Sequence, residues 1–304
     1  MHQATPPERR LFGIALRAAS ATSFGLMAAF LKAASQHGVS TFEMIFYRNV
    51  WSLLVVGGWI AAGPGWAAVK TKAPIAHLTR SVIGLISMLL TFGAVALLPL
   101  GEATTLTYAA PILATLLSGL LLAEKIGPRR WSAVAVGFIG VLMVARPGEG
   151  ITTLGLAVGI GAAFGQSAVM ITVRQISRTE QTVAIVFWFT VFTTIAGAAM
   201  LPFFGRGHDL ETYAILAAAG LLGGVGQLSM TGSLRFAPVS VVVPLDYLQI
   251  VWGIGIGWLV FLSPPTRLML AGAALIAGSG IYTAYREHAR GKMPAEAGSM
   301  PEAS

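Results

Sequence analysis

Long apolar stretches, most of them close to twenty residues, alternate with short polar connections along most of the chain. A stretch of about twenty residues crosses the ~30 Å hydrocarbon core of a bilayer as an α-helix, because each residue rises 1.5 Å. The pattern therefore predicts an all-α integral membrane protein with ten transmembrane helices. They cover residues 11–34, 41–62, 78–98, 103–123, 130–146, 153–174, 181–202, 212–235, 238–262 and 267–285.

The ten segments divide into two sets of five, because the chain weakly matches itself at an offset of 139 or 140 residues. At offset 139, Gly84 and Gly93 fall on Gly223 and Gly232. A repeat with an odd number of crossings places its second copy upside down relative to the first, as in many transporters. We therefore expect two inverted five-helix repeats, over 11–146 and 147–286, between an N-terminal tail (1–10) and a disordered tail (287–304).

The composition requires the bilayer as solvent. Hydrophobic residues make up 55% of the chain and charged residues 11%, against roughly 25% charged in a soluble domain. The mean hydropathy is +0.75. The chain has no cysteine, which excludes disulfides and thiolate chemistry. Its net charge of +8 does not indicate nucleic acid, since the charges lie at segment ends.

The basic residues predict the orientation. With the N-terminus inside, fifteen Lys and Arg residues, Arg17 and Arg80 among them, fall on the cytoplasmic side, four fall outside, and Arg48 lies within a helix. This bias places both termini in the cytoplasm. The first apolar run continues to Leu31, so we expect a retained helix rather than a cleaved signal. Glu43, near the outer surface, is expected to be solvated.

Prolines interrupt the fourth and ninth segments, which occupy equivalent places in the two halves. Pro111 frees the carbonyl of Thr107 and Pro244 frees that of Ser240, because proline has no N–H to donate. Interrupted helices at corresponding positions indicate a transporter's binding site. A simple kink, satisfied by a neighbouring serine or threonine, is the alternative.

Asp246 is the sharpest single candidate, since it lies about 12 Å inside the ninth segment. A charge at the membrane centre costs about 2.5–3.5 kcal/mol on insertion scales and usually marks an ion or substrate path. A substrate cation, a proton or Arg48 could offset this cost. Arg48 lies about 10 Å below the outer surface and is a candidate gate or counter-ion. A purely structural ion pair is the alternative.

Other candidates for solute binding are polar or aromatic residues well inside their segments. The amides favour a water-filled cavity, and the rings offer flat surfaces to an aromatic or cationic solute. For any single aromatic, packing in the helix bundle remains the alternative. The set comprises Tyr108, Gln166, Tyr247, Gln249 and Trp252.

An enzymatic function is disfavoured. The five histidines, at positions 2, 37, 77, 208 and 288, fall in predicted tails or loops, which argues against an intramembrane base or metal site. The chain has no Gly-x-x-x-x-Gly-Lys-Ser/Thr loop, so it cannot use ATP through that fold. The sequence indicates neither a metal nor a cofactor.

Three stretches resemble the drug/metabolite transporter superfamily, specifically the ten-helix EamA-type transporters with two EamA repeats. Arg48 is also similar to an arginine that these proteins often carry in the second helix. The resemblance implies a helical basket in the bacterial inner membrane, with a central cavity that opens alternately to each side. Family members move amino acids, aromatic metabolites, riboflavin, S-adenosylmethionine, metallophores and drugs. The stretches are Leu98–Pro111, Leu120–Trp131 and Ala237–Trp252.

The residues and the resemblance together predict a secondary active transporter of small organic metabolites. They favour export of amino-acid-like or aromatic/cationic solutes by alternating access, with a proton as a possible coupling ion and a monomer or homodimer as the assembly. One alternative is uptake of a vitamin or cofactor such as riboflavin or S-adenosylmethionine. Another is a non-transporting membrane sensor or scaffold.

Overall fold

The computed structural model describes residues 7–121, 128–145, 151–177, 179–237 and 239–291, and its secondary structure there is helical. Two short 3-10 helices, Trp66–Val69 and Val243–Tyr247, supplement the α-helices. The predicted all-α fold is confirmed. The α-helices are α1 (Pro7–Gln36), α2 (Thr41–Ala62), α3 (Pro74–Leu97), α4 (Leu100–Thr107), α5 (Ala110–Leu121), α6 (Pro128–Val144), α7 (Thr153–Ile176), α8 (Thr182–Phe204), α9 (Leu210–Phe236), α10 (Val239–Val242), α11 (Leu248–Leu259) and α12 (Arg267–Gly291).

Both chain ends are more helical than the sequence predicts. α1 begins at Pro7, inside the predicted tail, because proline suits the first position of a helix. α12 continues to Gly291, inside the predicted disordered tail. Residues 1–6 and 292–304 of these tails lie outside the described residues, as do residues 122–123, 146 and 238 of the predicted segments.

Six of the described helices, α1, α2, α3, α7, α8 and α9, are long and apolar enough to cross a membrane. α6 and α12 contain shorter apolar parts, Trp131–Val144 and Arg267–Thr283. The fourth and ninth predicted segments are each divided, into α4 and α5 and into α10 and α11. Because short connections join successive spans, the chain alternates between two ends of the bundle. We call the end at which α1 begins the basic end and the other the far end.

Helix packing follows the sequence repeat. α1 packs along α9, and α3, the counterpart of α9, packs along α7, the counterpart of α1. A Cβ added at Gly93 of α3 would lie 3.2 Å from Val158 of α7. One added at the equivalent Gly232 of α9 would lie 3.4 Å from Leu16 of α1. Equivalent glycines therefore serve equivalent contacts, as expected of two inverted copies.

Close helix approaches hold α11 in place between α1 and α4. A Cβ at Gly25 of α1 would lie 2.6 Å from that of Trp252, and one at Gly253 would lie 2.5 Å from the Thr104 hydroxyl. Small residues are the usual means by which membrane helices approach closely, since lipid supplies no hydrophobic force between them. These contacts bring the two divided segments together, and the candidate site lies where they meet.

Candidate functional site

Each of the two divided segments is interrupted beside the proline at which the sequence predicted an interruption. Tyr108 and Ala109 separate α4 from α5, and Pro111 is the second residue of α5. Pro244 is the second residue of the 3-10 helix that links α10 to α11. A proline near the start of a helix leaves few backbone groups unsatisfied, because the first N–H groups have no partner within the helix.

Aromatic rings from the two breaks face each other. The ring centroids of Tyr108 and Tyr247 lie 6.0 Å apart, with the rings tilted by 56°. The Gln249 side chain lies within hydrogen-bonding reach of Tyr108. Tyr247 is buried, and its hydroxyl has no partner among the described residues. Its ring tip rests against Gly280 of α12, where a Cβ would lie 2.5 Å from the ring carbon Cζ.

Asp246 forms a two-point ion pair with Arg17. The Arg17 Nε donates to Oδ1 at 2.6 Å, and its Nη2 donates to Oδ2. The side chains are 6% and 24% exposed, respectively. Such parallel bonds are among the strongest that side chains make, and they fix the geometry of both groups. The pair ties α1 of the first repeat to the break in the second repeat.

This pair corrects one of the three candidates for offsetting the charge of Asp246 and the assignment of one basic residue. Arg48 is not the partner of Asp246 in this structure, and Arg17, counted with the cytoplasmic charges, is a buried residue of the first helix. The depth of each residue, counted along its helix from the sequence, favours Arg17 over Arg48 as the partner of Asp246. Arg17 lies about 9 Å, and Asp246 about 12 Å, from the same end of the bundle, whereas the depth of Arg48 is counted from the far end.

The remaining exposed candidates lie to either side of this cluster. Trp252 is partly exposed, and its Nε1 donates to the Thr22 hydroxyl of α1 at 3.2 Å. Gln166 lies on α7, where its Oε1 accepts from Ser87 of α3 at 3.3 Å. The structure thus brings together Tyr108, Asp246, Tyr247 and Gln249, with Trp252 one helical turn along α11, and it leaves Gln166 on the seam between α3 and α7.

Two arginines are buried elsewhere in the bundle. Arg48 of α2 lies against Gly223 of α9, and its Nη1 donates to the Asn49 amide oxygen at 2.8 Å. Arg80, predicted as a cytoplasmic charge, is instead buried in α3 with its guanidinium 4.2 Å from the ring centroid of Phe189. Arg80 was assigned to the cytoplasmic side because it lies two residues after the start of the predicted third segment, whereas α3 begins four residues earlier, at Pro74, and places Arg80 deeper in the helix.

A buried histidine–carboxylate pair joins the two repeats at each end of the bundle. At the far end, Glu43 is 1% exposed, not solvated as predicted, and its Oε1 lies 2.8 Å from His208 Nε2. It also completes a capping box with Ser40. At the basic end, His77 lies in the first turn of α3, not in a loop, with its Nε2 3.3 Å from Glu180 Oε2. Each pair clamps a helix start to a connection of the second repeat.

The Glu180 clamp predicts a specific acid sensitivity. Burial opposes ionisation, but hydrogen bonds from His77, the Lys72 amide and the Thr71 hydroxyl outweigh it and lower the pKa of Glu180 below its ordinary value. A lowered carboxyl pKa stabilises the folded state above the unfolded pKa, about 4.3, and that contribution disappears as pH falls through the folded pKa. We therefore expect the melting temperature to fall more steeply below about pH 4.3 in the native protein than in Glu180→Gln.

The exposed Glu211 supplies the control, because Glu211→Gln removes a carboxylate outside the clamp. Thermal unfolding of the three proteins in one detergent, from pH 7 to pH 3, makes the comparison. Parallel profiles for the native protein and Glu180→Gln would contradict the clamp.

Among the described residues, no group of three or more His, Asp or Glu side chains is arranged to hold a metal ion.

Comparison with known proteins places both repeats in one family. The family described as EamA-like transporters matches residues 11–146 and 153–285. A riboflavin transporter of Rhizobium johnstonii is 31% identical over 236 residues, which are 76% of this chain and 77% of that one. The pseudopaline exporter CntI of Pseudomonas aeruginosa is 27% identical over 87% of this chain and 93% of its own length. An S-adenosylmethionine uptake transporter of Rickettsia bellii is 21% identical, covering 81% and 84%.

The fold is also found among solved structures. One crystal structure aligns with 93% of this chain and 99% of its own, with a TM-score of 0.63 and 18% sequence identity. At that identity the likeness shows the fold alone.

Proposed function

Because the chain belongs to the EamA-like transporter family, we propose that it is a secondary active transporter that exports a small organic solute across the bacterial inner membrane. The two repeats rock around a site at the broken helices and expose it to each side in turn. Both termini face the cytoplasm. With Arg17 and Arg80 set aside as membrane residues, the sequence count assigns thirteen basic residues to the cytoplasmic side and four to the outer side, which supports this orientation.

The ion pair of Arg17 and Asp246 is the observation that carries the proposal. It crosses the boundary between the repeats, beside both helix breaks, and Asp246 keeps part of its surface exposed. A proton or a cationic group on Asp246 would compete with Arg17 for the same oxygens. Binding would therefore release α1 from the break, and departure of the bound group would restore the pair. This exchange couples occupancy of the site to movement between the repeats.

The ion pair has no repeat-related counterpart elsewhere in the sequence. At the repeat offset, Arg17 corresponds to Leu156 or Ala157, and Asp246 corresponds to Leu106 or Thr107. The inward-open and outward-open states therefore differ electrostatically, although the two repeats share a fold. A single titratable carboxylate in the pair supports a proton as the coupling ion.

The residues around the pair indicate the class of solute. Tyr108 and Tyr247 supply ring surfaces at the break, and Trp252 supplies a partly exposed indole one turn away. Gln249 offers both a hydrogen-bond donor and an acceptor. Such a site suits a compact solute with an aromatic or aliphatic body and a cationic group for Asp246, which describes amino-acid-like and aromatic amine metabolites.

Flux measurement on reconstituted protein tests this function. A thermal-shift screen with amino acids, aromatic amines, riboflavin and S-adenosylmethionine would first identify solutes that stabilise the purified protein. Proteoliposomes that contain the protein should then transport a stabilising solute saturably, and faster when a pH gradient is imposed. Protein-free liposomes are the control. Absence of flux for every stabilising solute would contradict the proposal and favour a non-transporting sensor or scaffold.

Uptake of a vitamin or cofactor is the second candidate, because a relative that is 31% identical is a riboflavin transporter. Growth rescue of a riboflavin auxotroph by the expressed chain would favour uptake. Failure to rescue, together with efflux from loaded cells, would favour export.

A further inference from the structure

Arg48 and Arg80 lie on neighbouring helices of the first repeat and have no acidic partner among the described residues. They are 5% and 7% exposed, respectively. Within the described parts of the chain, no carboxylate forms an ion pair with either guanidinium. Arginine stays protonated in proteins, so two positive charges are buried among apolar helices. Such charges are rare in membrane segments unless they are paired or serve a ligand path.

The contacts that these guanidinium groups make are neutral and leave N–H groups free. The only hydrogen-bond acceptor of Arg48 in the described residues is the Asn49 side chain, and its Nε has no acceptor. Arg80 lies over the Phe189 ring, and its Nε and Nη1 have no acceptor. A ring face attracts a cation but accepts no directed bond in the plane of the guanidinium. Both guanidinium groups therefore retain N–H donors for hydrogen bonds to a ligand.

Two serines close to the arginines in the sequence have hydroxyls without a hydrogen-bond partner among the described residues. Ser52 is one turn after Arg48 on the same face of α2, and Ser81 follows Arg80 in α3. Both are buried, and neither hydroxyl has a partner in the part of the chain that the structure describes. In contrast, Thr190 of α8 donates to the carbonyl four residues before it in its own helix, which is the usual solution for such groups in lipid.

The helix register brings the two arginines to a similar depth. The Asn49 amide lies 3.4 Å from the sulfur of Met88, and α2 and α3 run in opposite directions, so Ser52 is level with the turn that contains Gly84. The Arg80 guanidinium extends to Gly84, and that of Arg48 lies against Gly223. These glycines are equivalent at the repeat offset, and in both the missing side chain makes room for a guanidinium.

We propose that Arg48 and Arg80 form an oxyanion subsite, with Ser52 and Ser81 as additional donors, and that the transported solute carries a carboxylate or phosphate group. This inference rests on the proposed transport function and defines the chemistry of its solute. Guanidinium groups match the geometry of carboxylate and phosphate oxygens. A bound oxyanion would supply both the missing charge and the missing acceptors, which neither the bilayer nor the described side chains provide.

Thermal unfolding with simple oxyanions tests the subsite. Inorganic phosphate and succinate, added separately to purified protein in neutral detergent and compared with chloride at equal ionic strength, should raise the melting temperature saturably by at least about 2 °C. Arg48→Gln and Arg80→Gln should each lose this shift. The exposed Arg235 is the control, because Arg235→Gln removes an arginine outside the subsite and should keep the shift.

Ser52→Ala covers the case in which an arginine variant does not fold. It retains both charges and removes one donor, so the protein should fold and bind phosphate or succinate about three- to tenfold more weakly. An unchanged affinity in Ser52→Ala, together with a retained shift in the arginine variants that fold, would overturn the subsite.

Thermal unfolding in nanodiscs of chosen lipid composition distinguishes binding of a solute oxyanion from binding of a lipid headgroup. Stabilisation by added phosphatidylglycerol, with no shift from phosphate or succinate, would overturn the solute oxyanion in favour of an anionic lipid. No shift with any of them would overturn it in favour of hydration alone. Flux of a solute without an oxyanion, unaffected in Arg48→Gln and Arg80→Gln, would overturn this inference while the proposed function stands. A retained oxyanion shift without flux of any solute would overturn the proposed function while supporting the subsite.

Discussion

Replacing Asp246 with alanine is expected to abolish transport and to destabilise the folded protein by about 3–5 kcal/mol, because Arg17 is left buried without its counter-ion. The Arg17 guanidinium has both of its bonds to Asp246 among the described residues and is 6% exposed. Loss of the carboxylate therefore removes its charge partner and two hydrogen bonds at once. Denaturant or thermal unfolding in detergent measures the stability, and flux in proteoliposomes measures transport.

A double variant separates the structural contribution of the pair from its function. Arg17→Met with Asp246→Leu removes both charges, so no uncompensated ion is buried, and most of the lost stability should return. Transport should remain absent, since nothing is left to exchange a proton or cation. Asp246→Asn keeps the shape of the side chain and one acceptor oxygen for Arg17, so it should destabilise the protein less than Asp246→Ala and leave it folded in the membrane, while it abolishes or uncouples transport. Native, pH-sensitive flux in the double variant or in Asp246→Asn would contradict the proposed role of Asp246.

Replacing Gly280 with alanine is expected to displace Tyr247 and reduce transport on the order of tenfold or more, the consequence of moving a binding-site ring by about 1 Å. The added methyl would overlap the Tyr247 hydroxyl and lie 2.5 Å from its Cζ. Tyr247 is buried between α12 and the facing ring of Tyr108, so it cannot yield without repacking the break. Overpacking of this kind costs about 1–3 kcal/mol.

Gly278 is the matched control in the same helix. Nothing lies within 4 Å of a Cβ added there, so Gly278→Ala should leave flux unchanged and alter stability by less than about 1 kcal/mol. Melting temperatures and initial rates of flux for the two variants, measured in parallel, make the comparison. Equal behaviour of Gly280→Ala and Gly278→Ala would show that the contact with Tyr247 is unimportant.

Individual helices and their interruptions were predictable from sequence because hydropathy and proline act locally. The predicted bounds of the second segment, 41–62, coincide with α2. The fourth and ninth segments divide beside Pro111 and Pro244, where a missing N–H weakens the helix. Asp246 was singled out by its depth alone, and the structure places it in a buried ion pair beside the second break.

Local signals misjudged residues whose environment another helix or loop supplies. Glu43 was expected to be solvated because it lies near the outer surface, yet the connection that carries His208 folds over it. Arg80 was expected at the cytoplasmic end of its segment, yet α8 places the ring of Phe189 against it. In both cases the burying group lies more than a hundred residues away in sequence.

By itself the sequence determined the helical class, the two inverted repeats and the depth of Asp246 in its segment, because a bilayer imposes apolar length and a 1.5 Å rise on every spanning helix. Only the tertiary structure decided that Asp246 pairs with Arg17, that Tyr247 faces Tyr108, and that the buried Arg48 and Arg80 have no carboxylate partner among the described residues. Depth is one coordinate along the membrane normal. Which helices are neighbours, and which faces they turn to each other, depends on close packing between distant parts of the chain.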